Sequence, residues 1–281
     1  TSPVLNSEKI IKKLPTIFDK SIQELNKQND SIEPTLVIYN KKNENYLSWH
    51  LTIYSSQLDR WELFIDDKTG EILDKINTTR HANREKKNKP LKSNKKKKVL
   101  KEVLENNAIG TGIDLNGVTR TLNTLFQNND YFLVDSTKPS FNSSTGEGVL
   151  QTYRNDNGGQ DMSNITPYLG NDSDNNWTDP SLVSAHYHAS ESYDYFYETF
   201  GRNSMDGLGG SVRSYTNVIK DGSEMDNAYY TGKGLYYGNG NNSFYPLAGA
   251  LDVAAHEWAH GVVEWSAGLV YQDEPGALNE H

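Results

Sequence analysis

The motif His256-Glu257-Trp258-Ala259-His260 constrains this chain more than any other part of its sequence. Residues four apart on an α-helix lie on one face, so His256 and His260 can direct their imidazole rings at one metal ion. Glu257, one position further on, can reach a water on the open side of that metal and act as a general base. The fold must therefore bury a helix that carries two histidines and an acid. The alternative is a pair of ordinary core histidines beside a chance acid.

The residues around the motif favour a helix. Gly268 offers a C-terminal stop for it. Glu280 follows at a plausible position for a third protein ligand, and two histidines with one carboxylate are typical of zinc sites that keep an open position. The sequence therefore predicts a zinc (Zn2+) site at His256, His260 and Glu280. The apolar flanking residues are Leu251, Val253, Ala254, Ala255, Val262, Val263 and Trp265.

Composition limits the class of protein. The 281 residues suffice for two domains, and 35% hydrophobic with 11% aromatic residues is typical of folded, soluble chains. The chain has no cysteine, which excludes disulfides and thiolate zinc ligands, and its net charge of -9 disfavours nucleic acid as a partner. No apolar run is long enough to cross a bilayer, so no membrane partner is expected. The start at Thr1, without Met or a signal sequence, indicates a fragment or a processed end.

Residues 1–80 predict a small module in which helical structure packs on an antiparallel sheet. Residues 7–26 have a helical pattern that breaks near Pro15. Strand patterns follow at residues 36–39, 46–54, 61–65 and 72–73.

Residues 81–108 are rich in Lys, Asn and Glu, which is the composition of a solvated connector. The basic run at residues 84–98 has three interpretations: a flexible linker, a cleavage-accessible junction, and a patch for nucleic acid or membrane. The last is disfavoured because no aromatic residue is interleaved with the lysines. Linker and cleavage site are compatible.

The remaining residues predict a β-rich domain with long polar loops, so the fold class is α+β. Strand patterns occupy residues 118–125, 131–134 and 149–153. A long helix is expected from the N-cap Asp179 and Pro180 to Gly201. His186 and His188 lie in this helix without a motif partner and are interpreted as structural residues.

The residues quoted above, together with further segments, resemble the thermolysin family of neutral zinc metalloproteases in precursor form. The further segments are residues 185–189, 193–196, 227–230, 249–262, 266–272 and 276–280. Residues 35–76 resemble the PepSY-type module that closes the propeptide of such precursors. The resemblance implies a secreted zinc endopeptidase zymogen, with residues 1–80 as propeptide, 81–108 as processing region and 109–281 as the N-terminal part of the peptidase domain.

The resemblance also assigns roles to residues. It implies that His256, His260 and Glu280 bind zinc and that Glu257 polarises the attacking water. Tyr271 would stabilise the oxyanion, and without the resemblance it would be interpreted as an ordinary interfacial tyrosine. Asn227 and Ala228 would hold a peptide substrate by strand addition, although Asn227 alone is also typical of a turn.

Calcium (Ca2+) is a further implication of the resemblance. Asp172, Asp174 and Asn176 offer oxygen atoms on alternate residues of a polar loop, for which a solvated turn is the alternative. Asp252, one helical turn before His256, matches another calcium ligand. Its partners in the family come from sequence beyond residue 281, so calcium is not expected at Asp252 in this chain.

The family continues past residue 281 into a helical domain that completes the mechanism. The expectation is therefore an inactive or weakly active fragment of a protease precursor. Its partners would be a peptide or protein substrate, its own propeptide as an intramolecular inhibitor, and the missing C-terminal domain. The alternative function is a non-catalytic module that inhibits proteases or binds zinc.

Overall fold

A computed structural model describes residues 3–42, 44–56, 59–78, 106–155, 167–220, 222–240, 244–269 and 273–280. The chain forms two compact units, Thr1–Thr79 and Arg80–His281. Helices and several β-sheets occur together, which confirms the predicted α+β class. Most of the predicted connector at 81–108 lies outside the described residues. None of the described helices combines the length and the apolar composition of a membrane span.

The N-terminal unit packs three short helices on a four-stranded antiparallel sheet of order β1-β2-β3-β4. The helices are α1 (Ser7–Ile11), α2 (Leu14–Phe18) and α3 (Ile22–Gln28), and the strands are β1 (Thr35–Lys41), β2 (Glu44–Tyr54), β3 (Arg60–Asp66) and β4 (Ile72–Asn77). The core between them consists of Ile10, Leu14, Leu25, Trp49, Leu51, Ile53, Leu63 and Ile65.

The helical pattern of residues 7–26 resolves into three helices for local reasons. Pro15 lies in the first turn of α2, where its missing N–H does no harm. Asp19 then adopts a left-handed conformation (φ 52°) that ends α2. Ser21 and Glu24 form a capping box that starts α3. The predicted break near Pro15 is thus a helix start, and a second break follows it.

The described residues of the larger unit form two sheets and three helices. Its strands are β5 (Asn107–Ile113), β6 (Thr119–Gln127), β7 (Asp130–Phe132), β8 (Val134–Asp135), β9 (Leu150–Arg154), β10 (Tyr168–Leu169), β11 (Asn171–Asp172), β12 (Asn176–Trp177), β13 (Val212–Lys220), β14 (Ser223–Glu224), β15 (Ala228–Tyr230) and β16 (Leu235–Gly238). Its helices are α4 (Pro180–Phe200), α5 (Leu251–Trp265) and α6 (Asp273–Asn279). A 3-10 turn at Leu247–Gly249 precedes α5.

Helix α4 connects the two sheets of the larger unit. One sheet has the order β10-β9-β13-β16-β15, and the other has the order β11-β7-β6-β5-β12. Helix α4 contacts β9 and β13 of the first sheet, β5 and β6 of the second, and α5. Its ends are those that the sequence predicts: Asp179 accepts hydrogen bonds from the N–H groups of Ser181 and Leu182, and Gly201 is left-handed (φ 64°).

His186 fastens α4 to both sheets. Its Nε2 donates to the carbonyl of Asn123 (2.8 Å), so Nδ1 accepts from Oγ1 of Thr152 (2.9 Å). Burial lowers the pKa of His186 from its ordinary value, although the contact with the Asn123 carbonyl acts in the opposite direction. The side chain is therefore neutral in the folded protein at neutral pH.

We expect the free energy of unfolding to fall as the pH drops below about 6.5, the ordinary pKa of histidine. Below that pH the unfolded chain binds a proton at His186 that the folded chain rejects, and the stability present at higher pH is lost. Urea unfolding of wild type and His186→Gln at pH 7 and pH 5 measures this effect. The variant should lose less stability between the two pH values. Equal losses would contradict the prediction.

Candidate metal centre

Helix α5 presents the two motif histidines on one face. The rings of His256 and His260 have their centroids 4.3 Å apart. The opposite side of the helix is anchored in the core by Trp258, which is fully buried and meets the ring of Tyr193 edge-on at 6.2 Å. This packing fixes the rotation of α5 about its axis and hence the direction of both histidines.

Glu280 completes a set of three candidate ligands. It directly follows α6, and its Oε2 lies 3.2 Å from Nε2 of His256. The ligand atoms of His256, His260 and Glu280 all lie within 4.8 Å of one another. Tetrahedral zinc with bonds of about 2.1 Å places its ligand atoms about 3.4 Å apart, so this donor set fits zinc. In the described parts of the chain, no other group of three acidic or histidine side chains converges in this way.

Asn279 orients one of the histidines, a role that sequence reasoning missed. Its Nδ2 donates to the carbonyl of Leu269 (3.3 Å), which turns Oδ1 toward Nδ1 of His260 (3.0 Å). An amide oxygen only accepts, so His260 carries its proton on Nδ1 and keeps the lone pair on Nε2. That tautomer is the one that binds a metal through Nε2. The only sequence signal was an amide side chain beside the predicted ligand Glu280.

Replacing Asn279 by Leu should weaken zinc binding by about 10- to 100-fold, the usual effect of removing a partner that orients a metal ligand. Asn279→Asp is the matched control, because a carboxylate still accepts from Nδ1 of His260 and should preserve most of the affinity. Competition with a chromophoric chelator measures both dissociation constants. Equal affinities of the Leu and Asp variants would show that the contact does not orient His260.

A cavity of about 520 Å³ brings most of the predicted site residues together. Glu257 is 6% exposed and lies beside the histidines on this cavity wall. The sequence predicted most of these residues, whereas the apolar wall formed by Phe244, Leu247 and Val253 was missed. The full lining is Asn227, Ala228, Phe244, Leu247, Asp252, Val253, His256, Glu257, His260 and Glu280.

The predicted substrate residues lie at the edge of a sheet. Ala228 begins β15, the last strand in the order β10-β9-β13-β16-β15. The carbonyl of Asn227 accepts from the N–H of Gly238 (3.0 Å), and its side-chain Oδ1 accepts from the N–H of Ala228 (2.9 Å). A strand at the edge of a sheet can pair with an extended peptide.

A buried phenol lies near the predicted base. Burial raises the pKa of Tyr237, and the negative charge of Glu257 raises it further. Tyr237 is therefore a neutral group, 1% exposed, opposite Ala228 in the β15–β16 pair. Tyr237 was not predicted from the sequence, and the predicted phenol, Tyr271, lies outside the described residues.

The predicted calcium loop is ordered by its own backbone. Oδ1 of Asp172 accepts from the N–H of Asp174 (2.9 Å), and Oδ1 of Asp174 accepts from the N–H of Asn176 (2.9 Å). Burial raises the pKa of Asp172, but the backbone N–H groups outweigh it, and the net shift is downward. Asp172 thus offers an ionised carboxylate, and calcium binding stays a prediction for this loop. Asp252 faces the zinc-site cavity, where its predicted role is likewise untested.

Comparison with known proteins identifies the family. Residues 109–264 match the family model for the thermolysin metallopeptidase catalytic domain, more than half of the chain. The chain belongs to this family. Its members are zinc metalloproteases, which implies Zn2+ and agrees with the donor set described above.

Several curated proteins are similar to this chain. Bacillolysin of Brevibacillus brevis is 34% identical over 99% of this chain and 46% of its own length. Bacillolysin of Bacillus cereus is 33% identical over 89% of this chain and 43% of its own. Extracellular elastase of Staphylococcus epidermidis is 32% identical over 91% of this chain and 44% of its own. The chain thus spans about half the length of these relatives.

One solved structure is also similar. It is described as a precursor of protealysin, a metalloproteinase from Serratia proteamaculans. It is 31% identical in sequence, with a TM-score of 0.41, and the match covers 47% of this chain and 39% of that chain.

Proposed function

We propose that the protein is the precursor of a zinc-dependent endopeptidase that hydrolyses peptide bonds with Glu257 as general base. One observation carries this proposal: the ligand atoms of His256, His260 and Glu280 converge in the cavity that also contains Glu257 and the strand edge at Ala228. Membership of a metallopeptidase family supports the same chemistry.

Zinc, when bound, supplies Lewis-acid polarisation of a carbonyl and lowers the pKa of a bound water. The protein residues would do the rest. Glu257 lies on the helix that carries both histidine ligands and lines the same cavity, so its carboxylate can accept the proton of the attacking water and pass it to the leaving amine. Its burial keeps competing water away from the carboxylate.

The substrate peptide would lie along β15. Asn227 and Ala228 offer an amide side chain and backbone groups at the strand edge, next to the histidines in one cavity. Strand addition fixes the direction of a peptide through its main chain and leaves side-chain preference to the surrounding walls. Phe244, Leu247 and Val253 make one of these walls apolar. We propose that Tyr271 donates to the developing oxyanion, as the family resemblance implies.

The remaining assignments extend this proposal. Residues 1–80 would act as the propeptide and intramolecular inhibitor, and residues 81–108 would contain the processing region. The loop at Asp172, Asp174 and Asn176 would bind calcium through its carboxylate and amide oxygens. Export from the cell is proposed as well; one relative is named an extracellular elastase.

The experiment that tests the proposal combines metal content with peptide hydrolysis. The purified protein, dialysed against trace zinc, should retain one equivalent of the metal. Hydrolysis of a casein substrate is expected when the chain is extended by the C-terminal helical domain of the family and its N-terminal segment is removed, whereas residues 1–281 alone should be inactive or weakly active. A chelator should abolish the hydrolysis and added zinc should restore it. Failure to retain zinc would refute the metal site. Stable zinc binding with inhibition of other metalloproteases, and no hydrolysis, would establish the non-catalytic module instead.

A further inference from the structure

Helix α5 begins without the side-chain cap that usually fixes a helix start. Its N-cap residue is Ala250, which has no side-chain hydrogen bond to offer. Serine, threonine, aspartate or asparagine normally fills this position and satisfies one of the first N–H groups. The position of the motif helix must therefore be fixed by other contacts.

Two side chains from elsewhere in the unit hold the backbone just before α5. Nδ1 of His188, on α4, donates to the carbonyl of Ala248 (3.0 Å). Nδ2 of Asn116, in the turn between β5 and β6, donates to the carbonyl of Gly249 (2.8 Å). These consecutive carbonyls are thus bound from two different elements, and both donors act on the 3-10 turn that leads into α5.

The turn that carries Asn116 is itself rigid. Oδ1 of Asp114 accepts from the N–H groups of Asn116 and Val118 (2.9 Å each). Oδ2 of Asp114 is paired with Nε of Arg120 at 2.6 Å. Gly117 has φ +74°, a conformation that favours glycine. The side chain of Asn116 therefore projects from a fixed backbone.

The same turn lies against the start of α5 and is joined to α4. A Cβ added to Gly249 would lie 2.9 Å from Cβ of Leu115, so the two backbones approach closely. The N–H of Leu115 donates to Oγ of Ser184 on α4 (3.0 Å). Asn116 and His188 thus hold the start of α5 from two elements that are already joined to each other.

We propose that Asn116 and His188 are positioning residues of the metal centre. They fix the backbone of residues 248 and 249, and His256 follows this backbone by about two helical turns. Leu247 in the 3-10 turn, and Asp252 and Val253 in the first turn of α5, line the cavity. A helix transmits a displacement of its first turn along its axis, because its backbone hydrogen bonds make it stiff. This inference rests on the proposed zinc site.

The critical variants remove a donor with little change of shape. Asn116→Asp replaces the donating amide by a carboxylate at an exposed position, and Asn40→Asp makes the same exposed change far from α5 in sequence. His188→Leu removes the buried donor, whereas His188→Asn returns an N–H donor near the place of Nδ1. Zinc affinity by chelator competition, hydrogen exchange of the α5 amides and the melting temperature are measured for the full chain.

Asn116→Asp and His188→Leu should weaken zinc binding by about tenfold, the lower end of the range for residues that orient metal ligands. Amides of the first turn of α5 should exchange faster. His188→Asn should recover the affinity, and Asn40→Asp should equal wild type. Unchanged zinc affinity in Asn116→Asp, with wild type binding zinc normally, would overturn the inference. A lower melting temperature in His188→Leu, with no recovery of zinc affinity in His188→Asn, would also overturn it. Wild type that binds no zinc would refute the proposed function instead.

Discussion

Glu257→Gln should lower kcat/KM for peptide hydrolysis by about 10²- to 10⁴-fold, the usual contribution of a general base. The amide keeps the shape of the side chain in the cavity but cannot accept a proton from water. Because Glu257 is not one of the three converging ligands, the dissociation constant for zinc should stay close to that of wild type. The comparison separates loss of the base from loss of the metal.

Glu198→Gln on α4 is the matched control, since its side chain is exposed and lies outside the cavity. Single-turnover hydrolysis and chelator competition should be measured on the same preparations. If Glu257→Gln keeps more than a tenth of the wild-type kcat/KM, another group accepts the proton. If the variant loses zinc, Glu257 supports the metal site in addition to any role in proton transfer.

The local part of the fold could be predicted from the sequence. The ends of α4 follow from Asp179, Pro180 and Gly201, because caps act within one turn of the residue concerned. The order of the sheets could not be predicted in the same way. Strand β13 pairs in parallel with both β9 and β16, and such pairing depends on packing between distant segments.

The site shows the same division. The helical spacing of His256 and His260 is local and needs no tertiary information. Helix α6 was not predicted, because Pro275 and Gly276 in its sequence normally disfavour a helix. Without α6 there was no basis for placing Asn279 against His260. The apolar wall of the cavity was missed for a related reason, since Phe244 has no periodic hydrophobic pattern around it in the sequence.

The second large effect concerns substitution of His256 and His260. The two alanine variants should lose zinc affinity alike, but their metal-free stabilities should differ. Either His256→Ala or His260→Ala should weaken zinc binding by more than about 10²-fold, beyond the range for outer partners, because a direct ligand is removed. In metal-free protein, His256→Ala should change the free energy of unfolding by less than about 0.5 kcal/mol, since its side chain is 42% exposed.

His260→Ala should instead cost about 1–3 kcal/mol in metal-free protein, because His260 is 2% exposed and its loss removes the hydrogen bond to buried Asn279. Zinc at 100 times the wild-type dissociation constant should stabilise wild type by about 2.7 kcal/mol, and each variant by no more than about 0.4 kcal/mol at the same concentration. Urea unfolding of wild type and both variants, with zinc and with chelator, measures the metal-free stability changes and the stabilisation by zinc. Equal stabilisation of wild type and His256→Ala would mean that zinc binds elsewhere. Equal metal-free stability of the two variants would mean that the Asn279 contact adds nothing to folding. The two histidines therefore separate the metal-binding role of α5 from its role in the core.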